Sequence, residues 1–194
     1  MTQYGFYVDA DHCTGCRTCV LACKDVNRLE VGENFRKVHS YCGGDFPDVF
    51  MYHVSMACNH CTEPLCVKSC PTGAMYKDEE TGLVLHDDEA CIGCETCVKS
   101  CPYDAPTLIP SLGIVRKCDG CAGLRVLGEQ PSCVASCPMR AIEFGDVDEL
   151  RAAHSDQELV CDFPAIPGSD ATGPNVLYNI KECMNQADFI PAVL

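Results

Sequence analysis

Sixteen cysteines fall into four spaced quartets, and any fold available to this chain must gather those thiols in space. The first quartet is Cys13, Cys16, Cys19 and Cys23, spaced C-x2-C-x2-C-x3-C. The second is Cys58, Cys61, Cys66 and Cys70, spaced C-x2-C-x4-C-x3-C and followed by Pro71. The third, Cys91, Cys94, Cys97 and Cys101, repeats the spacing of the first and precedes Pro102. The fourth, Cys118, Cys121, Cys133 and Cys137, is spaced C-x2-C-x11-C-x3-C and precedes Pro138. Cys42, Cys161 and Cys183 complete the nineteen. They fit no quartet and read as ordinary small thiols.

Cysteine at this density implies disulfides, zinc or iron–sulfur clusters. Disulfides call for an oxidising compartment, but the start of the chain, Met1 to Asp9, has neither a basic stretch nor a long apolar one. The cysteine count is also odd. Paired C-x2-C units suit zinc ribbons, yet zinc needs neither a third closely spaced cysteine nor a recurring C-x3-C-Pro ending. Iron–sulfur cubanes account for both. Three thiolates on one tight loop converge on three irons, and Gly15 and Gly93 let the loop curl closely. The fourth cysteine lies about 6 Å further along a helix, where it reaches a neighbouring cluster, as in bacterial two-cluster ferredoxins.

The quartets are embedded in an internal repeat. Pro71-Thr72-Gly73-Ala74-Met75-Tyr76, a turn-rich Lys77 to Gly82, and Leu83-Val84-Leu85-His86-Asp87 predict an antiparallel hairpin joining the second and third quartets. The same flanks recur in exchanged order around the other two. Phe6-Tyr7-Val8-Asp9 precedes the first quartet, and Pro138-Met139-Arg140-Ala141-Ile142-Glu143-Phe144 follows the fourth. The fold class expected is therefore α+β: two ferredoxin-like two-cluster units with short antiparallel hairpins, small helices and much loop, one unit inserted in the other. Residues 1–44 and 112–150 form the discontinuous outer unit, 45–111 the inserted unit, and 151–194 an extended C-terminal tail. Between the quartets, a turn over Tyr41 to Asp45 and a strand over Val49 to Met56 are expected. Residues 102–117 read as extended loop because of Pro102, Pro106 and Pro110, and Asp146 to Ser155 as a short helix.

The repeat also assigns ligands. One cluster takes Cys58, Cys61, Cys66 and Cys101, and its neighbour Cys91, Cys94, Cys97 and Cys70. In the outer unit, Cys13, Cys16, Cys19 and Cys137 share one cluster, and Cys118, Cys121, Cys133 and Cys23 the other. His60, inside Cys58-Asn59-His60-Cys61, and His12, beside Cys13, are better suited to hydrogen bonding around a cluster than to ligation. Lys68, Lys99 and Lys117 lie near the quartets, where they could offset cluster charge, but read better as solvated surface residues.

The remaining composition narrows the function. With 28 acidic against 14 basic residues and a net charge of −14, nucleic-acid binding is a poor fit. No stretch reaches the roughly 18 apolar residues of a membrane span. No Walker loop, dinucleotide-binding glycine motif or nucleophile–base signature is present. The sequence suggests a protein that carries electrons and does no substrate chemistry itself.

Several runs together resemble the iron–sulfur subunit of the dimethyl sulfoxide reductase family of molybdopterin oxidoreductases. They are Tyr4-Gly5-Phe6, Cys13-Thr14-Gly15-Cys16, Gly43-Gly44-Asp45, Cys58-Asn59-His60-Cys61, Pro71-Thr72-Gly73-Ala74-Met75, Cys91-Ile92-Gly93-Cys94, Cys101-Pro102-Tyr103, Lys117-Cys118-Asp119-Gly120-Cys121 and Ser136-Cys137-Pro138. The resemblance covers Tyr4 to about Leu150. It implies four [4Fe–4S] clusters, a large catalytic partner carrying molybdenum or tungsten on a pyranopterin, and often a membrane anchor exchanging electrons with quinone. It also implies a non-catalytic subunit assembled in the cytoplasm and held at the membrane only through partners, on a side left open. Some relatives have Trp in place of Cys94 and hold a three-iron cluster there, whereas cysteine is kept here. A free-standing polyferredoxin serving several enzymes is the alternative.

Overall fold

A computed structural model describes residues 2–192. Strand β1 (Tyr4–Asp9) leads into the first cysteine loop and helix α1 (Thr18–Asn27), followed by β2 (Lys37–Gly43) and β3 (Phe50–Met56). Helix α2 (Leu65–Lys68), strands β4 (Met75–Lys77) and β5 (Val84–His86) and helix α3 (Thr96–Ser100) come next. Strands β6 (Thr107–Ile109) and β7 (Ile114–Arg116), helices α4 (Ala122–Val126) and α5 (Ser132–Ala135), strand β8 (Ile142–Asp146) and helix α6 (Val147–Ala153) follow. The chain ends with β9 (Leu159–Val160), β10 (Val176–Asn179), a 3₁₀ turn at Glu182–Asn185 and β11 (Phe189–Pro191). Small sheets and short helices in this mixture fit an α+β ferredoxin-like fold.

Strands β4 and β5 form an antiparallel hairpin with Met75 opposite His86 and Lys77 opposite Val84. Strands β8 and β1 pair in the same sense, Val8 opposite Ile142 and Phe6 opposite Phe144, although they stand far apart in sequence. The helices behave in parallel: α2 packs on α3, and α1 on α5. The buried faces of these strands, Met75 and Val84 in one case and Phe6, Val8 and Ile142 in the other, lie against the cysteine loops. Alternation places one apolar face of each strand inward. Helix α6 starts where expected because the Asp146 carboxylate accepts hydrogen bonds from the Asp148 and Glu149 backbone N–H groups at 2.9 and 3.1 Å.

Three segments differ from the sequence expectations. Strand β2 is an addition, paired antiparallel with β3 so that Tyr41 faces Tyr52. Its pattern is hard to read because a buried position is Ser40, whose Oγ lies 2.8 Å from His53 Nδ1. Residues 102–117 contain the β6–β7 hairpin, with Thr107 opposite Arg116. Pro106 and Pro110 bound β6 without interrupting its pairing, and three-residue strands carry no visible periodicity.

Of the segment 151–194, expected as an extended tail, residues 151–192 correspond least to their expectation, and the last two lie outside the described residues. Strand β10 runs parallel to β1 and sits between β1 and β9 in a four-stranded sheet of order β8-β1-β10-β9. Strand β11 joins the edge of β2. Leu177 and Tyr178 are each 1% exposed and Met184 is fully buried, so this segment supplies core. It also straps the second cysteine loop: Thr62 N–H donates to Gly173 O at 2.8 Å, and Asn175 Nδ2 to His60 O at 2.8 Å. Its prolines and glycines mark the connections between strands, and masked the strands themselves.

Candidate metal centres

None of the nineteen cysteines, all of them among the described residues, is in a disulfide. Cys13, Cys16, Cys19 and Cys137 line one cavity, walled by Val8, Val38, Ser55 and Ile142. Cys70, Cys91, Cys94 and Cys97 line a second, with Met75 and Val115. The remaining thiols interact electrostatically in two further groups. Cys61 and Cys66 are each influenced by Cys58 and Cys101. Cys23 is influenced by Cys133 and Cys121, and Cys118 by Cys23 and Cys133. Electrostatic influence also crosses between groups, Cys133 on Cys19 and Cys58 on Cys118.

The loops are built for close wrapping. Gly15 has φ +68°, and an added Cβ would lie 2.6 Å from the His53 ring; at Gly93, φ is +67° and the added Cβ would lie 2.2 Å from Gly113 O. One residue ahead of α1 and α3, Arg17 and Glu95 adopt left-handed conformations, φ 61° and 58°. Non-glycine residues take up that region at a cost, here where the loop turns its third cysteine inward. Backbone N–H groups point at sulfur: Met75 at Cys70, Gly120 at Cys118 and Ala141 at Cys137, at 3.5, 3.4 and 3.4 Å.

Protonation divides the thiols by burial, within the sets as well as between them. Burial raises Cys23 and Cys66 to about 12 and Cys61 and Cys97 to about 11. Cys118, also buried, lies well above its usual value for the same reason. Such sulfurs are thiolates only when a metal replaces the proton. At the surface the shift reverses. The Thr18 hydroxyl, 3.4 Å from Cys16, lowers that thiol, and Thr96, 3.4 Å from Cys94, does the same. Cys16 and Cys94 are exposed.

These donors fit iron–sulfur clusters better than a single ion. A tetrahedral zinc site draws its sulfurs to about 2.3 Å from one point. Among the described residues, no three His, Cys, Asp or Glu side chains converge in that way. All-cysteine donor sets, enclosed in apolar walls and met by backbone N–H groups, are the surroundings in which clusters are held and tuned.

The neighbouring charged groups differ from the sequence reading in part. His12 is exposed and paired with Asp9 at 2.8 Å. His60 is fully buried, with Nδ1 accepting from Val84 N–H at 3.1 Å, so it ties the second loop to β5. Lys68 is a surface residue paired with Glu63 at 2.6 Å. Lys117 is not on the surface: it is 5% exposed, with Nζ donating to Val84 O and to Cys118 O. Arg36, which drew no attention in the sequence, is 1% exposed, and its Nη1 donates to Ser55 Oγ at 3.0 Å. Arg36 has no sequence signal, and the run containing Lys117 does not reveal its burial, because burial of a basic side chain depends on strands brought together from afar.

Residues 49–147 match the 4Fe-4S dicluster domain family, and residues 4–25 match a 4Fe-4S binding domain. The anaerobic dimethyl sulfoxide reductase of Escherichia coli contains a polypeptide 45% identical over 184 residues, covering 91% of this chain and 88% of its own length. The corresponding polypeptide of the Haemophilus influenzae enzyme is 44% identical over 186 residues, 91% of this chain and 89% of its own. One subunit of the sulfite dehydrogenase of Allochromatium vinosum is 38% identical over 170 residues, 77% and 71%. Among the described residues no helix is long and apolar enough to cross a membrane. The chain belongs to the 4Fe-4S dicluster family and, within it, to the iron–sulfur electron-transfer subunits of dimethyl sulfoxide reductase-like complexes.

Proposed function

We infer that the chain holds four [4Fe–4S] clusters and conducts electrons between a molybdopterin catalytic subunit and a membrane anchor or external redox partner. The observation that carries this is the cavity shared by Cys13, Cys16, Cys19 and Cys137. A cysteine from the C-terminal end of the fourth quartet belongs there only if ligands cross between loops. The second cavity, where Cys70 meets Cys91, Cys94 and Cys97, supports the same exchange in the other half. On this reading the remaining ligand sets are Cys118, Cys121, Cys133 and Cys23, and Cys58, Cys61, Cys66 and Cys101. The pairing of β1 with β8, which matches that of β4 with β5, supports one two-cluster unit inserted in another.

When bound, the clusters supply one-electron transfer, and the chain supplies position and environment. The order along the wire follows from which thiols are exposed. The sets containing Cys16 and Cys94 carry the two exposed sulfurs and on this reading form the ends, while Cys118, Cys66 and Cys58 of the other two sets are buried. The proximity of Cys19 to Cys133 and of Cys118 to Cys58 supports continuity through the interior. The Thr18 hydroxyl donates to Cys16, and the Thr96 hydroxyl is hydrogen-bonded to Cys94, at the two ends where partners would dock. By family membership, the Cys13 end faces the catalytic subunit and the Cys91 end faces the anchor. The subunit is non-catalytic, and its attachment to a membrane is through partners.

The exchange is tested by three single variants in the loaded protein. Cys137→Ser is expected to perturb the same electron paramagnetic resonance signal as Cys16→Ser, and a different one from Cys121→Ser. Coincidence of the Cys137 and Cys121 effects would refute the crossed ligand sets.

A further inference from the structure

Arg36 is a buried guanidinium without an acidic partner. Among the described residues, the ion pairs of this chain all involve other side chains. The side chain lies over the Phe6 ring, 4.6 Å from its centroid, and its second terminal nitrogen, Nη2, has no hydrogen-bond partner. An enclosed cation in this state is costly unless an opposite charge lies close by. Its surroundings contain sulfur instead of carboxylate. Nη1 donates to Ser55 Oγ, and the same oxygen lies 3.4 Å from Cys19 Sγ, forming a guanidinium–hydroxyl–sulfur chain. Burial alone would depress the Arg36 pKa, yet Cys133, Cys118, Cys19 and Cys23 together hold it above its ordinary value.

Those four sulfurs belong to two different ligand sets. We propose that Arg36 is a shared counter-charge for the Cys13–Cys16–Cys19–Cys137 and Cys118–Cys121–Cys133–Cys23 clusters, a positioning residue that raises the reduction potential of both. This rests on the four-cluster assignment above. The sign follows from electrostatics: reduction adds negative charge to a cluster, and a fixed cation in a weakly screening interior favours the added electron. A charge coupled to sulfurs of both sets acts on both clusters, and more weakly on the two sets whose sulfurs are not among those that hold it.

The experiment is a potentiometric titration, read by electron paramagnetic resonance, of the iron-loaded full chain carrying Arg36→Met or Arg36→Lys. Signals are assigned beforehand with Cys16→Ser and Cys121→Ser. Arg36→Met should make reduction less favourable by about tenfold or more at the two outer-unit clusters, about 59 mV downward per tenfold for one electron. The other two signals should stay in place, and Arg36→Lys, which keeps the charge, should titrate close to the parent. If Arg36→Met loses its iron, a fully loaded, unshifted Arg36→Lys supports the counter-charge, and loss of iron in both variants overturns it. An equal shift in Arg36→Lys and Arg36→Met, a shift at all four clusters, or none at all also overturns it. Iron and sulfide analysis of the parent separates this from failure of the cluster assignment. A parent with four clusters and an inert Arg36 contradicts the inference alone, whereas a parent with fewer clusters contradicts the assignment beneath it.

Discussion

Anaerobic removal of iron from the loaded protein is expected to abolish its cooperative thermal transition and most of its native circular dichroism. The main core contains Cys19, Cys23, Cys58, Cys118, Cys133 and Cys137 packed among Phe6, Val8, Tyr52 and Ile142. Those thiols occupy places where larger apolar side chains would otherwise fill the interior, and tryptophan is absent from the chain. Most helices in which the cysteines sit are of four or five residues, too short to persist unaided. Metal–ligand bonds therefore replace much of the packing energy, and losing them couples directly to unfolding. A metal-free chain with native-like dichroism and a sharp melting transition would show that the polypeptide holds this fold alone.

Truncation after Ser169 is expected to be nearly as damaging. It removes β10, the partner of β1 across a sheet interior, together with Val176, Leu177, Tyr178 and Met184, all 3% exposed or less. Burying such side chains contributes about 1.5–3 kcal/mol each, so the four together approach the roughly 5–15 kcal/mol that stabilises a typical domain. The cut also removes Gly173 and Asn175, which hold the loop of Cys58 and Cys61. The truncated chain should give little soluble protein, with iron content per chain falling well below the parent's. A truncated chain with undiminished iron and unchanged resonance signals would relegate the segment to a dispensable appendage.

The cysteine spacing foreshadowed which thiols the structure gathers, Cys13, Cys16, Cys19 and Cys137 around one cavity and Cys70, Cys91, Cys94 and Cys97 around another. The quartets, Gly15 and Gly93 follow from how closely a loop must pass its metal. The flanks around Met75, Val84, Phe6 and Ile142 exposed the repeat through alternation and position alone. The Asp146 start of α6 follows from a local hydrogen bond, and local rules survive folding unchanged. The rest depended on distant partners. Strand β10 is identified by lying against β1, not by its own pattern between Gly173-Pro174 and Lys181. Strand β2 hides because Ser40 takes an interior place through its contact with His53. Arg36 and Lys117 look like any surface cation until folding sets the first against Phe6 and Ser55 and the second against Val84.

The central claim is four complete cysteine sets, each holding a cubane. Chemical analysis of the anaerobically purified, fully reconstituted protein tests it most directly. The account predicts about sixteen iron and sixteen acid-labile sulfide atoms per chain, four of each per cluster. A reconstituted sample that saturates at about half that content, or one that binds zinc without sulfide, would contradict it.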